Sequence, residues 1–188
     1  MSKAPSGGML ANLSGSALKF IYRIRASGQG KVPVSGPVIF HIEGDALLSG
    51  PSVKAVAPRP VQLIVSGALG EVFLGGTQIL AGDISMYGFG FAASQQAVEV
   101  LKAGGTVAFV GDQPQLGYLA AATGAPIVPV RVSGAGGKVR TDPPKPGSRI
   151  SIVFEAPIQI EVHGDPCALA TVQEVAEQVR QARADAQA

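Results

Sequence analysis

Few side chains in this chain have both the type and the spacing for chemistry. Its 188 residues include two histidines, His41 and His163, and one cysteine, Cys167. An imidazole can take and return a proton near neutral pH, so each histidine is a candidate general base. His41 and Asp45 stand four positions apart, a spacing that on a helix puts both on one face and gives a base with an orienting carboxylate. The alternative is a turn in which the two are capped or solvated. His163 precedes Gly164-Asp165-Pro166 and reads as a turn residue before the last helix. Cys167 as a nucleophile needs a nearby base; otherwise it is a small apolar residue. Two distant histidines and one cysteine give no metal-ligand spacing, so neither metal nor cofactor is expected. Gly67-Ala68-Leu69-Gly70 hints at a dinucleotide loop but lacks the full glycine pattern and a later acidic partner. A nucleotide-binding module is thus an alternative.

These residues need elements to hold them. Val38–Ile42 reads as a short buried strand, with His41 near its end. Leu47–Val56 is predicted helical, its start confined by Pro51, and Val61–Val65 is a second strand. Ala92–Ala103 carries Ala93, Ala97, Val98 and Leu101 at helical spacing and stops at Gly104-Gly105. Strands follow at Thr106–Val110, Ile127–Val132 and Ile150–Phe154, with a short helix over Leu116–Ala122. The last helix is predicted to start from Asp165 as N-cap with Pro166 at the first position. Its apolar stripe is Leu169, Val172, Val175, Ala176 and Val179, expected to pack on the parent domain. Residues 1–15 read as a loose tail, and 16–188 as a single α/β domain.

Composition narrows the function. Hydrophobic residues are 46% and charged ones 15%, which suits a folded core and excludes disorder. A net charge of +2 and 5% aromatics, with no Trp, exclude a nucleic-acid footprint. A single cysteine forms no internal disulfide and suits a reducing compartment. There is no signal-peptide pattern and no apolar run of about 18 residues, so a cytoplasmic protein is expected. Leu18, Phe20, Ile21, Tyr22 and Ile24 alternate with Lys19, Arg23 and Arg25. Such a segment can lie on an anionic membrane surface or pack on the domain as a terminal helix or strand.

Several strings, in order, carry a family resemblance: Tyr22-Arg23-Ile24-Arg25, Ser35-Gly36-Pro37-Val38-Ile39, Ser49-Gly50-Pro51, Ala57-Pro58-Arg59-Pro60-Val61, Ala97 to Gly105, and Gly124-Ala125-Pro126-Ile127-Val128-Pro129-Val130. Together the chain resembles the bacterial lysophosphatidic acid (1-acylglycerol-3-phosphate) acyltransferase family. The resemblance implies a three-layer α/β domain with a mostly parallel or mixed central sheet. It implies an Asn-His-x-x-x-x-Asp motif after the first buried strand, and here the Asn falls on Glu43, the His on Gly44 and the Asp on Ser49. The second motif's phosphate-gripping arginine falls on Asp83, and the Phe-Pro-Glu-Gly-Thr motif reads Phe109-Val110-Gly111-Asp112-Gln113. Asp112 stands one residue late for the Glu, which on a strand turns it to the opposite face. The expected protein is therefore a catalytically impaired relative that binds a lipid, an acyl chain or a protein partner, at the inner membrane surface. The alternative is an active acyltransferase working with acyl-CoA or acyl-carrier-protein and a lysophospholipid, with His41 and Asp45 as a relocated pair.

Overall fold

Apolar runs broken by glycine and proline produce strands and helices that follow one another along most of the chain. The computed structural model describes residues 15–44, 46–64, 91–110, 115–139, 142–162, 164–165 and 168–187. Helix α1 (Gly15–Ile21) bends at Tyr22 into strand β1 (Arg23–Ser27). Next come β2 (Val38–Glu43), α2 (Ser49–Val56) and β3 (Gln62–Ile64). They are followed by α3 (Phe91–Lys102), β4 (Thr106–Val110), α4 (Gln115–Thr123) and β5 (Ile127–Ser133). The last elements are β6 (Arg149–Phe154) and α5 (Leu169–Gln187). No helix among the described residues is long and apolar enough to cross a membrane.

All six strands join one sheet in the order β1-β6-β5-β2-β4-β3. β5 and β6 pair antiparallel and every other neighbouring pair is parallel, so the sheet is mixed and mostly parallel. Helices cover both of its sides. On one side, Val38, Phe40 and Ile42 of β2 share a core with Leu18 of α1 and Val53 of α2. On the other, Ile39 meets Leu101 of α3, Leu119 of α4 and Val175 of α5. The two-residue period of a strand divides β2 between these cores and leaves it buried on both faces. In the first core the Phe40 and Phe154 rings meet edge to face, 5.6 Å apart, spanning β5. Such a pair adds about 0.5–1.5 kcal/mol beyond the area it buries.

Three expectations change. The second helix starts at Ser49, because Leu47 and Leu48 form a turn; Pro51 then sits in the first turn, where a missing N–H costs no helical bond. The last helix starts at Leu169 rather than beside Asp165, whose carbonyl accepts the Ala168 N–H in the preceding turn; Pro166 lies outside the described residues. Its buried face is Thr171, Val175 and Val179, while Leu169 is 71% exposed and Ala176 faces solvent. Steps of four select that face, and α4 meets it through Gly117. A Cβ on Gly117 would lie 2.8 Å from the Val172 carbonyl oxygen, so the two helices approach through a missing side chain. The segment 18–25 is neither one helix nor one strand: Leu18 and Tyr22 are in the first core, with Ile21 and Ile24 packed against it. Residues 1–14 lie outside the described residues, and Gly15 already belongs to α1.

Candidate functional site

The parallel strands β2, β4 and β5 end at one edge of the sheet, where open α/β sheets place their ligands. β2 leaves the sheet at Gly44, whose φ is 111°, a conformation open to glycine and strained for residues with a Cβ. The chain then turns through Leu47 and Leu48 into α2, which opens on Ser49. A Cβ on Gly44 would lie 3.5 Å from Ser49 Oγ and 3.4 Å from the Val132 carbonyl oxygen. The two positions are therefore neighbours in space. Ser49 is 1% exposed, and neither its hydroxyl nor that of Ser52, one turn on, finds a hydrogen-bond partner among the described residues. Close contact holds α2 in place: a Cβ on Gly50 would meet Val110 Cγ2 at 3.1 Å.

His41 is 3% exposed inside β2, paired in register with Phe109 and Pro129. It follows Ile39 by two, so it projects to the α3–α5 side, whereas Ser49 opens the helix on the α1–α2 side. The sheet itself separates His41 from Ser49. Glu43 alternates in the same way and lies opposite Arg131 of β5. Arg131 Nε stands 3.9 Å from Glu43 Oε2, and its guanidinium also donates to Glu155. This cation between two carboxylates could not be read from the sequence, because it joins two strands and the residue that follows a third. Asp45, Asp83, Gly111, Asp112, His163, Cys167 and Gly67–Gly70 all lie outside the described residues.

Sequence reasoning also missed what Arg59 does. Its guanidinium donates to the carbonyls of Pro33, Gly36 and Gly104 at 3.0, 2.9 and 2.7 Å. It thereby ties the loops that enter β2 and β4 to the turn before β3. The signal was present as an arginine held between two prolines, but its acceptors are backbone atoms and leave no mark in residue type. A cleft of about 410 Å³ between Lys54, Gln62 and Thr106 opens at the amino ends of β3 and β4, away from Gly44. Among the described residues, no cluster of three or more His, Cys, Asp or Glu could hold a metal.

With no side chain on Gly44, the described atoms nearest to it are the Ser49 hydroxyl and the Val132 carbonyl oxygen. The class defined by the fold is a glycerolipid-acyltransferase-like α/β domain, with a mixed sheet between helices. A solved structure of that class, the 1-acyl-sn-glycerophosphate (LPA) acyltransferase PlsC from Thermotoga maritima, superposes with a TM-score of 0.56. The match covers 89% of this chain and 75% of that one at 17% sequence identity, so the likeness is one of fold. No protein-family model and no curated protein matches the chain.

Proposed function

We propose that this chain keeps the glycerolipid-acyltransferase fold without its general base, and that it holds a lipid or acyl chain rather than transferring one. The observation that carries this reading is Gly44 beside Ser49, the positions that the resemblance assigns to the base and its orienting carboxylate. Glycine supplies no base there, and a serine hydroxyl supplies no charge to steady an imidazolium. Loss of a positioned general base costs typically two to four orders of magnitude in rate. An acyl-chain groove depends on apolar burial and can outlast the loss of polar catalysis. The same reading includes contact with the inner membrane surface and, as its alternative role, a protein partner.

The test gives purified protein lysophosphatidic acid with acyl-CoA or acyl-carrier-protein, and follows phosphatidic acid and bound lipid together. The expected result is lipid retained in native mass spectrometry and no product above the blank. Product formation that His41→Gln abolishes without unfolding would replace this reading with the active enzyme. Absence of both lipid and product would leave only the protein-partner role.

A further inference from the structure

The helices on the second side of the sheet do not cover all of it. Among the described residues, the second core takes side chains from β2, β3, β4 and β5 and none from β6 or the edge strand β1. Along β1 the exposed residues are Arg23, Arg25 and Ser27, alternating with Ile24 and Ala26, which pack against the first core. Along β6, Arg149 and Val153 are exposed between the buried Ile150, Ile152 and Phe154. The parallel register sets Arg23 beside Arg149 and Arg25 beside Ser151. Neighbouring strands lie about 5 Å apart and alternate residues roughly 7 Å, so three guanidinium groups share one small patch. None of the three makes an ion pair or side-chain hydrogen bond with a described residue. Arg131, by contrast, is engaged by Glu43 and Glu155.

Like charges side by side on a sheet are unfavourable, and a surface fold has no structural need for three of them. Folding alone would be served as well by serine or threonine at these positions. Nearby cations add to the field. Lys19 and Lys145 are exposed, and the loop carrying Lys145 is joined to the α1–β1 bend by the Gly147 N–H donating to the Ile21 carbonyl at 2.8 Å. Both Arg23 and Arg149 lie toward the sheet end at which β2 reaches Gly44, because β6 runs antiparallel to β5.

We infer that this open β1–β6 face is a docking surface for an anionic phospholipid bilayer, with Arg23, Arg25 and Arg149 on the headgroup phosphates. Guanidinium groups bind phosphate oxygens through paired N–H donors, and a bilayer presents many phosphates in one plane. A nucleic acid would want aromatic residues on the open face for stacking, and β1 and β6 carry none there among the described residues. The membrane contact thus moves from the amphipathic segment 18–25, whose Leu18, Ile21, Tyr22 and Ile24 belong to or pack against the first core, to a flat basic sheet face. This deepens the lipid reading but does not need the acyl site to be occupied.

The experiment is co-sedimentation of the full chain with vesicles of phosphatidylglycerol and phosphatidylcholine, against vesicles of phosphatidylcholine alone. Binding is expected only to the anionic vesicles and is expected to disappear in about 1 M salt, where screening acts within roughly 3 Å. The triple variant Arg23→Gln/Arg25→Gln/Arg149→Gln should bind about 100-fold less well, near fivefold per charge. The matching Arg→Lys triple variant, which keeps the charges, should retain most of the binding. All are checked for native circular dichroism first. Equal binding to both vesicle types, or unchanged binding by the glutamine variant, overturns the inference. Tighter binding to a single-stranded RNA than to the anionic vesicles overturns it in favour of a nucleic-acid surface. These vesicles contain no lysophospholipid or acyl thioester, so an empty acyl site cannot produce either failure.

Discussion

Replacing Gly44 with alanine tests the backbone at the position that the resemblance assigns to the base, through the sign of its effect. The Cβ it adds would meet Val132 O at 3.4 Å and Ser49 Oγ at 3.5 Å, both ordinary van der Waals contacts. Sterics are therefore nearly neutral, and the cost is torsional. At φ 111°, an alanine is held outside its favoured regions, at about 1–2 kcal/mol. At an ordinary φ the same substitution would stabilise by about 0.4–1 kcal/mol, because it narrows the unfolded ensemble. Gly30 is the internal control: no neighbour lies within 4 Å of its added Cβ and its φ is not positive, so Gly30→Ala should be neutral or slightly stabilising. Urea unfolding followed by far-UV circular dichroism gives the two differences from the midpoints at constant slope. For a chain of this size the expected fall for Gly44→Ala is roughly 2–8 °C in melting temperature. A Gly44→Ala protein as stable as the parent, or more so, would refute the torsional account. The same strain opposes Gly44→His, so Gly44→His/Ser49→Asp is expected to restore the residue types without restoring transfer.

Arg59→Met removes the donor to three loop carbonyls and should lower stability by about 2–4 kcal/mol, with Arg59→Lys intermediate; a loss under about 0.5 kcal/mol in urea unfolding would show that water replaces it freely. Tyr22 is buried and donates to the Pro144 carbonyl at 3.3 Å, and its burial raises the phenol pKa. A raised folded pKa contributes stability that is complete below the unfolded value near 10 and is lost as pH climbs through the folded one. Melting curves should therefore fall more steeply above about pH 10 for the parent than for Tyr22→Phe, and parallel pH profiles would contradict the assignment.

The parts of the fold legible in the sequence are those whose burial is uniform. Val38–Glu43, Thr106–Val110 and the start of Ile127–Ser133 are apolar on both faces, so their runs declare themselves. β6 was legible as the run Ile150–Phe154, whereas β1 was harder, since it is short and its pairing with β6 joins distant segments. In α5 the apolar stripe was misread because Leu169 and Ala176 are apolar yet exposed, and Thr171 is polar yet buried. At the site, the residue types at Gly44 and Ser49 were legible only against the resemblance. Their nearness in space and the positive φ were not, because a glycine letter does not state its torsion. The facing of His41 followed from strand alternation, whereas the Arg131 bridge to Glu43 and Glu155 needed the register of three strands.

The pairing of Arg23–Ser27 with Arg149–Phe154 also sets an order of events. β1 is made early, yet its strand partner is among the last parts of the sheet to be synthesised. Until β6 arrives, Leu18, Tyr22 and Ile24 have no Ile150, Ile152 or Phe154 to cover them, and β1 lacks its strand partner along its whole length. Pairing of such distant segments is slow, since loop closure comes before any contact rewards it. The β1–β6 register spans the longest sequence separation of any pair in the sheet, so β1 is expected to join last. A nascent chain halted before Arg149 exposes an apolar edge, the species that chaperones hold and that aggregates without them.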